Sequence, residues 1–218
     1  MLCSIHIAWY KAIMVLNNTK EIDAMLWRLG KQMLYFNVEP ISLVICGGSA
    51  LNALNIASRT TKDVDVLVIV EEGRDGYTLK YGEELPASFV ERVETVGRDM
   101  GQDADWLNMG PKDILPIYGP PNGMTERWVK KEYGPNLTVY FISRLDQIHF
   151  KLLAASDTKA NPRHMEDLQK RIKPTEDEIR LATEWLLKKA NHDAGFRLKV
   201  KNAVLELGYE RIADNIQV

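Results

Sequence analysis

The stretch VICGGSALNALNIASRTTKDVDVLVIV, residues 44–70, limits the possible fold more than any other part of the chain. It passes from an apolar segment through Gly47, Gly48 and Ser49 into leucines with helical spacing, and then into a second apolar segment. Short, nearly all-apolar runs are typical of strands that are covered on both faces. The sequence therefore predicts a strand, a glycine turn, a helix and a second buried strand in direct succession.

Two acidic residues, Asp63 and Asp65, stand at the start of the second apolar segment with Val64 between them. Side chains alternate across a strand, so both carboxylates face the same side. Adjacent carboxylates at the mouth of a buried strand repel each other and lose hydration, and a divalent cation offsets both effects. Mg²⁺ typically takes one or two carboxylates together with substrate phosphates. The pair therefore predicts a site for Mg²⁺ or Mn²⁺ with a nucleoside triphosphate; the alternative is a solvated strand start with both aspartates facing water.

The glycine turn predicts a phosphate site. Gly47 and Gly48 let the backbone approach a ligand closely, and Ser49 follows where free N–H groups at a helix start attract anions. The alternative is that the glycines serve the geometry of a strand-to-helix turn alone. Neither reading is decided by the turn itself.

The rest of the pattern predicts the fold class α+β, a small mixed β-sheet with flanking helices followed by a C-terminal helical region. Apolar spacing predicts helices over 19–36, from Pro86 to about 100, and over 143–156, 162–172, 175–190 and 196–207. The segments ERWVKKEY and LTVYFIS, separated by GPN, predict a hairpin, and ADWLN predicts a short strand. Ser143 with Asp146, and Thr175 with Glu178, have the spacing of helix N-terminal capping pairs.

Composition indicates an ordinary globular chain. The 218 residues include 28 Lys and Arg against 30 Asp and Glu, a net charge of −2 that gives no overall signal for nucleic acid or an anionic membrane. Only two cysteines, Cys3 and Cys46, are present, which fits a reducing cytoplasm. No apolar stretch approaches the roughly 20 residues that a membrane span needs, so no membrane partner is expected.

Together, the turn and the paired aspartates resemble the polymerase-β-like nucleotidyltransferase superfamily, whose signature is a Gly-Gly or Gly-Ser turn, a spacer and an Asp-hydrophobic-Asp strand. GGSAL followed by RTTKDVDV looks most like the AbiEii type, found among toxin and abortive-infection systems, and like related uncharacterised families. Members also carry a Lys on a later helix and then an Arg-x-x-Asp-like stretch ending in Asp-Leu. Here FKLLAASDTKANPRHMEDL supplies Lys151 and, after Arg163, Asp167.

That resemblance implies a nucleotidyltransferase core over 19–143 and a C-terminal helical region over 144–218 packed on it. The segment 1–18, which precedes the first predicted helix, is expected to be a disordered or upstream extension. It implies an Mg²⁺-dependent enzyme that moves a nucleoside monophosphate from a triphosphate to a hydroxyl acceptor. The acceptor would be a tRNA 3′ end or a protein side chain, and the protein would be a toxin with an antitoxin partner. The implied catalytic residues are Asp63, Asp65, Lys151 and Asp167, with Asp63 and Asp65 on the metal. The implied triphosphate-binding residues are Gly47, Gly48, Ser49, Arg59 and Lys151.

One part of the superfamily pattern has no clear counterpart in the sequence. Many members use a third carboxylate as the general base, and Asp103, Asp105 and Glu132 are candidates that no local pattern separates. If none of them reaches the metal, the chain is a two-carboxylate variant or a non-catalytic relative. The alternative function is therefore a module that binds nucleotide or a partner protein on a degenerate nucleotidyltransferase fold.

Overall fold

The computed structural model of the chain describes residues 19–57, 61–74, 76–157, 162–188 and 194–218. The predicted extension 1–18 and the predicted phosphate ligand Arg59 lie outside these ranges. Everything below refers to the described residues.

In these ranges the chain forms nine α-helices and six strands, which confirms the predicted α+β class with a small mixed sheet, flanking helices and helices at the C-terminal end. In chain order they are α1 (Thr19–Tyr35), β1 (Ile41–Cys46), α2 (Gly47–Ala53), β2 (Val64–Gly73), β3 (Gly76–Lys80), α3 (Ala87–Asp99), β4 (Leu107–Asn108), α4 (Ile114–Tyr118), β5 (Val129–Glu132), β6 (Leu137–Phe141), α5 (Arg144–Ala155), α6 (Arg163–Glu166), α7 (Glu176–Lys188), α8 (Ala194–Glu206) and α9 (Glu210–Asp214). A 3₁₀ turn covers Thr125–Arg127, and a π-helical segment covers Asp167–Ile172.

The sheet has the strand order β3-β2-β1-β6-β5, with the two-residue β4 paired to β2 away from this path. Strand β1 is antiparallel to β2 and parallel to β6. The antiparallel ladder pairs Cys46, the last residue of β1, with Asp65 near the start of β2. The glycine turn that follows β1 and the aspartates that lead into β2 therefore lie at the same edge of the sheet.

A β-bulge interrupts the pairing of β1 with β2. Val44 pairs with Val68 while the next residue, Ile45, pairs with Val66, so Leu67 is an extra residue in β2. Leu67 and Val68 consequently pack on the same face of the sheet. Asp65 follows the alternation of the other side of the bulge and faces the same way as Cys46.

Helices cover both faces of the sheet. On one face, α1 and α3 pack against the sheet in a cluster that includes Met25, Leu29 and Phe89. The other face carries Val44 and Cys46, and α5 packs there through its buried Phe150. The helices after α5 build a further core among themselves, which reaches α2 through Leu51. Helix α5 is therefore the element that links the sheet to the C-terminal helices.

Capping explains why two of the C-terminal helices begin where they do. The Ser143 hydroxyl accepts from the Asp146 backbone N–H at 3.2 Å at the start of α5. At the start of α7, the Thr175 hydroxyl accepts from the Glu178 N–H, and the Glu178 carboxylate accepts from the Thr175 N–H at 2.8 Å. Both predicted capping pairs are confirmed.

Four elements differ from the sequence-based prediction, among them the short helix α4, which lies in a segment where no element is predicted. The edge strand β3 lies in a segment that the polarity of the sequence predicts as a loop. The predicted helix over 162–172 begins as α6 and continues as a π-helix from Asp167. A short helix, α9, follows the last predicted one.

Helix α1 lies so close to the β5–β6 hairpin that residue 30 has no room for a side chain. A Cβ atom at Gly30 would lie 1.7 Å from the Tyr133 carbonyl oxygen. Alanine normally stabilises a helix by about 1 kcal/mol relative to glycine. We expect Gly30→Ala to have the opposite sign and to lower the free energy of unfolding by about 1–3 kcal/mol, because the backbones must separate. Urea denaturation measures this, and the exposed neighbour substitution Lys31→Ala, with an effect within about 0.5 kcal/mol, is the control.

Candidate functional site

The two predicted metal ligands, Asp63 and Asp65, lie at the end of the sheet where β2 begins. We call this end of the sheet the aspartate edge. Asp65 is the second residue of β2 and Asp63 immediately precedes the strand; both are half-buried. The Thr61 hydroxyl donates to the Asp63 carbonyl oxygen at 3.2 Å, which braces the approach to the strand. The Val64 N–H donates to the Trp106 carbonyl oxygen at 2.6 Å, which fixes the start of β2 against the segment leading into β4.

Gly47 makes room for the Asp65 carboxylate. A Cβ atom at residue 47 would lie 2.3 Å from Asp65 Oδ2, and the residue has a φ of +73°, a conformation that side-chain-bearing residues rarely adopt. Glycine is therefore needed here for two separate reasons. The close contact at the turn is with the carboxylate of Asp65, whereas the sequence predicts the approach of a phosphate ligand.

The remainder of the predicted phosphate turn is less accessible. Gly48 and Ser49 are buried in the first turn of α2. The Ser49 hydroxyl donates to the Cys46 carbonyl oxygen at 3.1 Å. The Ser49 hydroxyl proton is thus committed to the turn, which leaves the hydroxyl oxygen lone pairs and the backbone as the groups Ser49 can offer to a ligand.

The Cys46 thiol shows that the predicted charged groups share one neighbourhood. Burial raises the pKa of Cys46 well above its ordinary value, and the negative charges of Asp65 and Asp63 raise it further. Lys151 acts on the pKa of the same thiol in the opposite direction. Two carboxylates and one ammonium group therefore lie within electrostatic reach of a single sulfur atom at the end of β1.

Lys151 is buried and paired. Its side chain is only 4% exposed, and its Nζ lies 2.8 Å from Oδ2 of Asp167, whose side chain is fully buried. Asp167 Oδ1 also accepts from Arg171 Nη1 at 3.0 Å. Asp167 is the first residue of the π-helical segment, and such segments occur frequently at functional sites. The structure thus brings together Lys151 and Asp167 as an ion pair beneath the aspartate edge.

Sequence reasoning missed Gln147, which lies one helical turn before Lys151 on the same face of α5. Its Nε2 donates to the Gly47 carbonyl oxygen at 3.2 Å, and the side chain is fully buried. Gln147 therefore ties α5 directly to the glycine turn. The signal that could have identified it is the spacing of four residues to Lys151.

None of the candidates for a third carboxylate is paired with Asp65 in the sheet. Asp103 and Asp105 are exposed in the loop before β4. Glu132 is exposed on β5, whose register places it beside Thr138 and so level with Ser42, at the opposite end of β1 from Cys46. Across the described ranges, no cluster of three or more His, Cys, Asp or Glu side chains is arranged to hold a metal ion.

On the side of β2 that faces away from β1, the residue beside Asp65 in the sheet is Asn108 of β4. Its Oδ1 accepts from the Gly110 N–H at 2.8 Å and its Nδ2 donates to the Asp105 carbonyl oxygen at 3.3 Å. The amide therefore holds its own loop in shape. A neutral side chain occupies the sheet position next to the acidic pair.

No protein-family model, curated protein or solved structure matches the chain. None of the helices in the described part of the chain has both the length and the apolar composition that crossing a membrane demands.

The contact between Gly47 and Asp65 can be tested by substitution. Gly101 has a φ of +70° with no atom within 4 Å of its Cβ position, so Gly101→Ala measures the backbone strain alone, about 1–2 kcal/mol. We expect Gly47→Ala to cost about 1–3 kcal/mol more, because the new methyl group displaces the Asp65 carboxylate. When Asp65 is also replaced by alanine, Gly47→Ala should cost no more unfolding free energy than Gly101→Ala does. Urea denaturation of the four variants measures it, and an excess that persists without Asp65 would refute the contact.

The Lys151–Asp167 pair generates a second stability prediction. Lys151→Met leaves a buried carboxylate without its closest partner, and we expect a loss of about 3–5 kcal/mol of unfolding free energy. Adding Asp167→Leu should recover most of that loss, because no buried charge is then left unpaired. The control is Lys170→Met, which removes an exposed lysine 3.6 Å from Glu166 and should change stability by at most about 1 kcal/mol.

Proposed function

We propose that the chain is an Mg²⁺-dependent nucleotidyltransferase that moves a nucleoside monophosphate from a nucleoside triphosphate to a hydroxyl acceptor. The observation that supports it best is the pairing of Cys46 with Asp65, which sets the glycine turn and the paired aspartates against each other at one sheet edge. This is the arrangement that the resemblance of the sequence to polymerase-β-like enzymes requires.

The donor set fits a hard divalent cation. Asp63, just before β2, and Asp65, its second residue, are half-buried carboxylates that both act on the pKa of the Cys46 thiol. Mg²⁺ takes one or two carboxylates when substrate phosphates complete its shell. A bound Mg²⁺ or Mn²⁺ would neutralise charge on the phosphates during an in-line displacement. In the proposal, the two aspartates hold the cation and the backbone of Gly47, Gly48 and Ser49 borders the phosphates.

Lys151 and Asp167 have a positioning role in this proposal as well as the predicted catalytic one. Because Lys151 is ion-paired to Asp167, its ammonium group is held in one place, within electrostatic reach of the Cys46 thiol at the end of β1. An ammonium held there lowers the electrostatic cost of placing two carboxylates and a triphosphate side by side. Arg59 is proposed, on the resemblance alone, as a second cation for the phosphates.

The acceptor and the biological setting follow from the resemblance alone. A tRNA 3′ end or a protein side chain is the proposed acceptor, and a toxin paired with an antitoxin protein is the proposed setting. A reducing cytoplasm is the proposed compartment, because the chain has only two cysteines.

A second function is favoured by one observation. The sheet neighbour of Asp65 is the neutral Asn108, and within the described ranges no third acidic side chain joins the pair. A chain without a general base would still hold a nucleotide and a cation. The second candidate is therefore a module that binds nucleotide or a partner protein without transferring anything.

The experiment that tests the enzymatic proposal is transfer of label from each α-labelled triphosphate, with Mg²⁺ or Mn²⁺, to total RNA or to lysate proteins. Substituting Asp63→Asn or Asp65→Asn should lower the rate by about a hundredfold or more, since ligation of the cation supplies several kcal/mol of transition-state stabilisation. Asp214→Asn makes the same change in charge on an exposed side chain of α9 and should leave the rate unchanged.

Two outcomes would contradict the enzymatic proposal. Transfer that survives in folded Asp63→Asn and Asp65→Asn proteins would show that the pair does not hold the cation. Saturable binding of a triphosphate, measured by calorimetry with no labelled product from any acceptor, would favour the binding module. Thermal unfolding of each variant confirms that a loss of transfer is not a loss of fold.

A further inference from the structure

A polar cavity lies between α5, α7 and the segment that precedes β5, apart from the aspartate edge. It has a volume of about 150 Å³. Its lining comprises Asn122, Arg127, Leu145, His149, Leu181, Glu184, Trp185 and Lys188. Most of these side chains are polar or charged, so the space differs from a packing defect in an apolar core, which stays dry.

The cavity and the candidate site use opposite faces of α5. Successive residues of a helix are rotated by about 100°, so Leu145 and His149 face away from Gln147 and Lys151. Gln147 contacts the glycine turn, whereas His149 packs edge-on against Trp185 of α7 at 5.5 Å between ring centroids. The cavity is therefore a separate site and does not depend on the proposed function.

His149 is the most informative residue of the lining. It is 5% exposed, and its Nδ1 lies 2.8 Å from the Leu145 carbonyl oxygen, so Nδ1 carries the proton and donates. Among the described residues nothing hydrogen-bonds to the other ring nitrogen, Nε2. Burial lowers the pKa of His149, which keeps the ring neutral at physiological pH and makes Nε2 an acceptor. Nε2 is therefore an acceptor that opens toward the cavity, where a bound ligand or water can donate to it.

The charges around the cavity favour an anion. Arg127 Nη2 pairs with the buried Asp146 at 2.5 Å, but its Nε is buried without a hydrogen-bond acceptor. Glu184 Oε1 lies 3.2 Å from Arg180 Nη1, and the same guanidinium also contacts Asp177 at 2.9 Å. Lys188, the last residue of α7, adds a positive charge at the exposed rim. Two cationic side chains, Arg127 and Lys188, and one carboxylate, Glu184, therefore line the cavity, a balance of one positive charge.

We propose that this cavity binds a small oxyanion that keeps one proton, with the proton donated to His149 Nε2 and the anionic oxygens held by Arg127 and Lys188. A hydrogen phosphate group has this chemistry. Its five heavy atoms fit the available volume with accompanying water, whose share of liquid volume is about 30 Å³ per molecule.

Sulfate provides a matched probe, because it has the size and charge of hydrogen phosphate without the proton. At slightly alkaline pH we expect inorganic phosphate to bind saturably and about tenfold or more tighter than sulfate, since sulfate leaves Nε2 without a donor and adds repulsion between lone pairs. Calorimetry measures both affinities, and the ¹⁵N resonance of His149 Nε2 should move on addition of phosphate. At a pH below the pKa of His149, the protonated ring donates to either anion and phosphate takes up a second proton, so the preference for phosphate should disappear or reverse toward sulfate.

Three variants assign the binding to this cavity. His149→Phe keeps an aromatic ring against Trp185 and should abolish the preference for phosphate over sulfate. Lys188→Gln should weaken both anions by about two- to fivefold, as expected for an exposed charge contact. Lys31→Gln makes the same charge change on α1 and should change neither affinity.

The proposal fails on any of three results. Equal affinities of the wild-type protein for phosphate and sulfate at slightly alkaline pH would show a purely electrostatic contact that does not use His149. A preference that survives in His149→Phe would place the phosphate elsewhere. The absence of binding by either anion at millimolar concentration would show that the cavity holds only water.

Discussion

The bulge at Leu67 determines which way the acidic groups of the sheet point, and the candidate site depends on it. A regular ladder continued from the Val44–Val68 pair would set Cys46 opposite Val66 and would turn Asp65 toward the face where α1 and α3 pack. A carboxylate on that face would lose its hydration among apolar side chains at a cost of several kcal/mol. With the extra residue in β2, Asp65 instead shares the face of Cys46, against which α5 brings its polar residues.

The charged side chains on that face hold one another in position, and the Lys151–Asp167 ion pair is the clearest case. A buried ion pair such as Lys151–Asp167 adds little net stability, because desolvation of both groups offsets their attraction, yet breaking it is costly. What the pair does contribute is position: it joins α5 to the π-helical segment that starts at Asp167. Gln147 on the same face of α5 holds the Gly47 carbonyl, so the ion pair and the glycine turn are connected through one helix.

Much of this arrangement could be predicted from the sequence, and the limits have physical causes. The strand, glycine turn and helix over 41–53 and the capping pair Thr175–Glu178 are local features, and local chemistry decides them. The bulge cannot be recognised in the sequence, because VLVIV is apolar at every position and either register therefore buries the same residue types. Strand β3 was missed because it is an edge strand with polar residues, although Tyr77 and Leu79 alternate as a strand requires. The spacing of Asp63 and Asp65 gave no distance to Lys151, which only the packing of α5 on the sheet supplies.

The absence of a third acidic neighbour in the described ranges changes how a cation would be held in the proposed site. Two half-buried carboxylates leave most of the six positions around Mg²⁺ to water and phosphate oxygens. The neighbouring Asn108 uses both its amide oxygen and its amide nitrogen for hydrogen bonds within its own loop. Affinity for the bare cation is then weak, because Mg²⁺ gives up its water reluctantly to so few ligands. A triphosphate supplies the missing anionic oxygens and at the same time needs the cation to offset its repulsion from Asp63 and Asp65. Cation and nucleotide therefore bind as one unit, in the enzymatic and in the binding-only version of the proposal alike, and what separates the two is whether an acceptor hydroxyl finds a base.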